Sequence, residues 1–286
     1  MPQRFAFPTT WAATLLDGGA ARFRLWAPDQ SLVSLRTSAG DLAMNREEEG
    51  WFALTTDAVP VGGAYSFVLE DGFVVPDPAA RAQVESVHGP SKLVDPSAYR
   101  WVNPCLRRPW EEAVIYELHI GTFTEEGTFR SAIEKLADLR DLGVTAVELL
   151  PVAQFGGDRG WGYDGVLPYA PHQAYGTPED LKAFVDAAHG LGLMVFLDVV
   201  YNHFGPDGNY LGKYASPFFD PQRHTPWGAA IAYDNPAVRA FFLDNPLYWL
   251  EEYRFDGLRF DAIDHVRDSS QEPILEAMAT AIRARF

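Results

Sequence analysis

From Ala113 onward, strand-like apolar runs alternate with helical ones, and this alternation restricts the fold more than any other feature of the chain. Ala113–Ile120 reads as a strand. In Phe129–Leu142, residues Ile133, Leu136, Ala137 and Leu139 recur at a helical period, and Gly143 ends the helix. Val144–Leu150 is a second strand. Thr177 caps a helix that Pro178 opens and that runs to Gly190. Leu193–Val199 is a third strand, followed by a long loop to about Asn235. Pro236 opens a helix to about Tyr253, Gly257–Asp261 is a fourth strand, and Glu272–Arg285 is a last amphipathic helix. Four such repeats imply a parallel sheet covered by helices. A doubly wound open sheet and a (β/α)8 barrel both satisfy the pattern.

Residues 1–95 follow a different rhythm. Arg22–Trp26 and Tyr65–Leu69 alternate polar and apolar, and Val33–Leu35 and Trp51–Leu54 are compatible with strands. Gly- and Asp-containing turns separate them, which predicts an accessory β-sandwich. Pro90–Pro109 holds four prolines and no periodicity. The expected division is therefore 1–95 sandwich, 96–112 linker and 113–286 the βα region.

Several function classes drop out. The turn after the first βα strand, Gly121–Gly127, is not Gly-x-Gly-x-x-Gly, and no Gly-Lys-Ser/Thr loop occurs, so nucleotide readings fall. A formal charge of −16 repels phosphate backbones and gives no attraction to anionic lipid, so neither nucleic acid nor membrane is an expected partner. No apolar run reaches the length of a membrane span. His119, His172, His189, His224 and His265 lack metal-ligand spacing, so neither a metal nor another cofactor is called for. The single cysteine, Cys105, and a start without a signal-peptide core favour a cytoplasmic setting. Lys182 and Arg140 read as solvated helix faces, and Glu117 and Glu148 as packed, hydrogen-bonded strand residues.

Polar residues gather where the strands end. The third strand runs into Asp198-Val199-Val200-Tyr201-Asn202-His203, and the fourth into Arg259-Phe260-Asp261-Ala262. The loop after the second strand holds Trp161-Gly162-Tyr163-Asp164. Arg259 and Asp261 are two apart on a strand and point to one face. A carboxylate at an apolar strand end is costly unless paired. The arginine can hold it ionised and oriented, as a nucleophile requires.

Together these segments resemble the α-amylase superfamily, glycoside hydrolase family 13. Asp198–His203 resembles its first signature and Gly257–Ala262 its second, with the two aspartates 63 residues apart. The resemblance implies an immunoglobulin-like (E-set) sandwich followed by the first half of a (β/α)8 TIM barrel. It implies Asp261 as nucleophile, Arg259 as its support, and Tyr163, Asp164, Asp198, Asn202 and His203 around the sugar, with Trp161 a further substrate contact. Gly157–Val166, Tyr169–Gly176, Tyr201–Leu211 and Thr225–Gly228 are more finely similar to the maltooligosyltrehalose trehalohydrolases. That similarity implies a retaining hydrolase releasing trehalose from maltooligosyl trehalose, in trehalose biosynthesis, with a maltooligosaccharide as the wider ligand class. Alternatives are a 1,4-α-glucan branching or debranching enzyme, or a non-catalytic glucan-binding fragment.

Family members take their acid/base Glu from the fifth barrel strand, roughly 30–35 residues past the nucleophile at the βα repeat length. Phe286 lies 25 residues past Asp261. The expectation is a barrel truncated after its fourth βα unit, lacking the acid/base, inactive alone, and exposing edges through which it self-associates.

Overall fold

The computed structural model describes residues 5–105 and 108–286. Nine short strands come first: β1 (Thr14–Leu15), β2 (Ala21–Trp26), β3 (Val33–Thr37), β4 (Gly40–Ala43), β5 (Asn45–Arg46), β6 (Trp51–Thr56), β7 (Ala64–Leu69), β8 (Val74–Val75) and β9 (Ser91–Lys92). They pair antiparallel in two sheets, β1-β2-β6-β5 and β4-β3-β7-β8, with β9 added to β7. The alternation read from the sequence sets their faces. Ala21, Phe23 and Leu25 of β2 and Val33 and Leu35 of β3 are buried, while Arg22, Arg24 and Arg36 are not. Phe23 meets Tyr65 of the other sheet at 4.8 Å between ring centroids, so the inner faces share one core.

Residues 96–105 pack onto a helix of the following region. The backbone N–H groups of Val102 and Asn103 and the Tyr99 hydroxyl all donate to the Asp186 carboxylate. Positions 106 and 107 of the expected linker lie outside the described residues.

The second region contains β10 (Ile115–Leu118), α1 (Ile120–Phe123), α2 (Phe129–Ile133), α3 (Leu136–Leu142), β11 (Ala146–Leu149), β12 (Ala153–Gln154), β13 (Leu167–Pro171), α4 (Pro178–Gly190) and β14 (Met194–Val199). It continues with α5 (Leu211–Tyr214), β15 (Phe219–Thr225), β16 (Gly228–Ile231), α6 (Pro236–Glu252), β17 (Gly257–Phe260) and α7 (Ile274–Arg285). β10, β11, β14 and β17 form a parallel sheet in that order, with one edge at β10 and the other at β17. α4 spans the expected residues, opened by Thr177, whose side chain accepts from the Asp180 N–H in a capping box.

Three expectations are corrected. The helix over 129–142 is two helices, because Glu134 and Lys135 donate to carbonyls three residues back and tighten the chain. Both pieces still bury their apolar faces, through Phe129 and Ala132 and through Leu136 and Leu139. The long loop before Asn235 contains α5 and the β15–β16 hairpin, which turns at Pro226–Trp227. Lys182 does not face solvent: it is 2% exposed, its ammonium donating to the Pro96 carbonyl and to Glu252 and lying over the Tyr253 ring.

The sandwich and the βα region meet in two places. Trp11 makes edge contacts with Trp26 and Trp51 of the sandwich and with Phe218 and Phe241 of the βα region, and its Nε1 donates to the Ala237 carbonyl. Beside it, Glu252 accepts from the Phe7 N–H, Arg81 and Lys182, while Arg81 also donates to the Phe7 and Ala13 carbonyls. Most buried apolar side chains of both regions form one contiguous cluster, and Ala146, Met194 and Phe196 form a second. No helix among the described residues is long and apolar enough to cross a membrane.

Candidate active site

Strand register builds the site. Glu117 of β10 lies opposite Glu148 of β11, and Glu148 opposite Phe196 of β14; Asp198 lies opposite Arg259 of β17. Because side chains alternate along a strand, these residues, and Asp261 two beyond Arg259, share one face of the sheet. A Cβ on Gly257 would stand 3.0 Å from the Phe196 ring, so glycine is what lets β17 lie this close.

At the C-terminal ends of β14 and β17, one nitrogen joins two carboxylates. Arg259 Nη1 donates to Asp198 Oδ2 at 2.5 Å and to Asp261 Oδ1 at 2.8 Å. Asp198 also accepts from the Tyr163 hydroxyl at 3.0 Å. Asn202 Nδ2 donates to the Asp261 backbone carbonyl at 3.0 Å, and the Asp261 N–H continues the ladder to Val199. His203 contacts the Asn202 side chain through one ring nitrogen and lies 3.0 Å from the Tyr163 carbonyl through the other. The loop reaches Tyr163 through Gly162, whose φ of +95° suits glycine; a Cβ there would collide with the Pro151 carbonyl.

The electrostatics separate the two aspartates. The Asp198 side chain is fully buried, and burial pushes its carboxyl up to about 7 against the opposing pull of Arg259 and Tyr163. The Asp261 side chain keeps 18% exposure, so it is the carboxylate a ligand can reach. Burial works against the charge on Arg259, but Asp198 and Asp261 outweigh it and raise its pKa further. Burial, then Asp198, pushes the Tyr163 hydroxyl up to about 12. Burial lowers the His203 imidazole, partly offset by the Tyr163 carbonyl.

Of the sequence candidates, Tyr163, Asp198, Asn202, His203, Arg259 and Asp261 come together. Asp164 is exposed beside Tyr163 with no side-chain hydrogen bond among the described residues. Trp161 packs on His119 instead, away from the Arg259 cluster. Glu117 and Glu148 are not hydrogen-bonded among the described residues. Glu148 is half-exposed, and its carboxyl is pushed up by burial and by Glu117. Two features escaped the sequence reading. Trp227 stacks on His203 at 4.7 Å, brought there by the unexpected hairpin. Ala262, next to Asp261, sits at φ 43°, a left-handed conformation costly for alanine and often found beside functional residues.

Behind this loop, His172 is wholly buried, stacked on Phe155 at 3.8 Å, with neither ring nitrogen hydrogen-bonded among the described residues. Burial lowers its pKa from 6.5 to about 4. A folded-state pKa below the unfolded one stabilises the fold above about pH 6.5, and the contribution is lost as pH falls through 4. It amounts to roughly 3 kcal/mol. Urea denaturation between pH 7 and 4 should show this fall, and His172→Phe should remove that part of it. An unchanged pH slope in His172→Phe would refute the assignment.

Residues 118–227 match the family described as alpha amylase, catalytic domain. The chain is 46% identical over 272 residues to a malto-oligosyltrehalose trehalohydrolase of Saccharolobus solfataricus, covering 93% of this chain and 48% of that protein. It is 46% identical over 280 residues to the malto-oligosyltrehalose trehalohydrolase of Deinococcus radiodurans, covering 96% and 46%. Among solved structures, a putative alpha amylase from Salmonella typhimurium superposes with a TM-score of 0.96 at 56% identity, covering 98% of this chain and 48% of that one. The chain thus spans about half the length of the curated relatives it matches.

Proposed function

The chain belongs to the α-amylase family, and on that premise we propose that it forms the nucleophile-bearing part of a retaining glycoside hydrolase of α-1,4-glucans. The observation that carries this is the shared Arg259 nitrogen, which fixes an accessible Asp261 beside a buried Asp198 at adjacent strand ends. Asp261 bonds to the anomeric carbon as the glycosidic carbon–oxygen bond breaks. The leaving oxygen keeps the electron pair and takes a proton from the acid/base carboxyl, and Arg259 keeps the Asp261 carboxylate aimed at the cleft. Asp198, wholly buried, holds the Tyr163 hydroxyl and the Arg259 guanidinium in place. Tyr163 and Trp161 offer ring faces, and Asp164, Asn202 and His203 shape the sugar's surroundings.

Retention needs a second carboxyl about 5–5.5 Å from the nucleophile to act as acid and base. We place that carboxyl outside residues 1–286, in the half of the relatives that this chain does not span. The same reading divides the chain into a sandwich (1–95), a linker (96–112) and the first half of a (β/α)8 barrel (113–286), in a cytoplasmic setting. Val114, Ile115 and Tyr116 at the β10 edge are exposed, which supports self-association of the isolated half.

The specific substrate we assign is maltooligosyl trehalose, supported by the loop sequences Gly157–Gly176 and Tyr201–Leu211 and by the names of the relatives. The test is a chimera of residues 1–286 fused to the remaining half of the Deinococcus radiodurans relative. It should release trehalose from maltooligosyl trehalose, and 1–286 alone should release none. Formation of new α-1,6 branches, or release of glucose and maltose without trehalose, would contradict the assignment.

A further inference from the structure

The sandwich touches the βα region at a third point, beside the two loops that carry Tyr163 and His203. The segment between β8 and β9 brings Val87 and His88 against Asp207–Tyr210, the stretch that leads from His203 to α5. Val87 is wholly buried, and a Cβ on Gly208 would collide with it. His88 Nδ1 lies 2.6 Å from the Tyr210 hydroxyl, and its Nε2 lies 3.2 Å from Asp207 Oδ1. A proton on Nε2 faces the carboxylate and leaves Nδ1 to accept from Tyr210. Burial, then Asp207, raises the Tyr210 hydroxyl, which keeps it a donor. Sandwich residues also hold the far end of the stretch. The Asp29 N–H donates to the Tyr214 carbonyl, Gln30 Nε2 donates to the Lys213 carbonyl, and the Asp29 carboxylate accepts from the Ser216 N–H.

The held stretch reaches the sugar site through backbone. The Gly205 N–H donates to the Gly165 carbonyl at 3.1 Å, and a Cβ on Gly205 would collide with the Asp164 carbonyl. Asp207 itself lies so close over Gly156, at the start of the Tyr163 loop, that a Cβ there would strike its carboxylate. His203 closes the circuit by facing the Tyr163 carbonyl. A shift of Asp207–Tyr210 is therefore passed to both site loops.

Fastening the two regions together does not need His88. Trp11 and the Glu252 cluster already do so in buried surroundings, whereas His88 is half-exposed, where polar contacts add little stability. Its distinct effect is on the loops. A loop seated before the ligand arrives costs less to order on binding.

We propose that His88 is a positioning residue for the sugar site: through Tyr210 and Asp207 it seats the His203 loop on the Tyr163 loop and so raises the affinity for the glucan. The inference rests on the functional reading above. Calorimetric titration of residues 1–286 with maltohexaose tests it. His88→Ala should weaken binding about fivefold, with the thermal midpoint little changed. Tyr210→Phe should weaken it equally, and the double variant should lose no more than either alone, because both break one link. In His88→Asn, the Oδ1 stands where Nδ1 did and can accept from Tyr210, so most of the affinity should return. In the chimera with the Deinococcus radiodurans half, His88→Ala should raise KM about fivefold and change kcat less. If His88→Ala binds maltohexaose as the unmodified chain does, the role of His88 is overturned and the glycosidase reading stands. Weaker binding that His88→Asn does not restore, or additive losses in the double variant, would also overturn it. If the unmodified chain does not bind maltohexaose, both the inference and the reading beneath it are overturned.

Discussion

Asp261→Asn in the 1–286 chimera should lower kcat for trehalose release by at least about 10³-fold, with little change in KM. Asparagine keeps the size of aspartate and can still meet Arg259, so the fold and the sugar contacts should survive. It lacks the negative charge that forms the bond to the anomeric carbon. Asp198→Asn should behave differently. Asp198 is buried, and its role is to hold Tyr163 and Arg259, so its loss should also raise KM and lower the thermal midpoint. Steady-state kinetics of the two variants separate the nucleophile from its support. Equal kcat for Asp261→Asn and the unmodified chimera would remove Asp261 from the chemistry.

The second large effect concerns stability. Glu252→Leu should destabilise residues 1–286 by about 3–5 kcal/mol, because it leaves the buried Arg81 and Lys182 without their carboxylate. It also removes the acceptor of the Phe7 N–H. Against a total stability of about 5–15 kcal/mol, the loss should be evident as a large drop in the urea midpoint. Glu251, one residue earlier and partly exposed, pairs among the described residues with Arg285 alone, and Glu251→Leu should cost less than about 1 kcal/mol. Similar losses in both variants would show that the buried cluster does not fasten the sandwich to the βα region.

The contrast between these sites explains what a sequence reader can and cannot see. Arg259 and Asp261 are two residues apart, so strand parity alone puts them on one face, and Asp198 ends a neighbouring apolar run of the same kind. Local pattern carried that information. Arg81, Lys182 and Glu252 are far apart in the chain, and nothing local marks Lys182 as buried; its helix position looks like any solvated lysine. The break after Ile133 was hidden because both half-helices keep apolar residues near the expected period. The β15–β16 hairpin was hidden because Asp220–His224 is polar and exposed, without the alternation of a half-buried strand. Trp227 lies within Thr225–Gly228, one of the segments that carry the resemblance, but only the hairpin brings its ring over His203. The seat of Trp161 on His119 likewise depends on a contact between the ends of separate segments, His119 and Gly160, that no spacing rule encodes.

The central claim is that Asp261 is the nucleophile, and it can be tested without an acid catalyst. In α-maltosyl fluoride the leaving group needs no proton. An Asp261 oxygen bonds to the anomeric carbon, the carbon–fluorine bond breaks, and fluoride departs with the electron pair. On the proposal that the acid/base carboxyl lies outside residues 1–286, the protein should retain the sugar. Mass spectrometry of the protein after incubation should show one added maltosyl group, located on the peptide containing Asp261 and absent from Asp261→Asn. No added mass, or a maltosyl group on another carboxylate such as Asp198, would contradict the account.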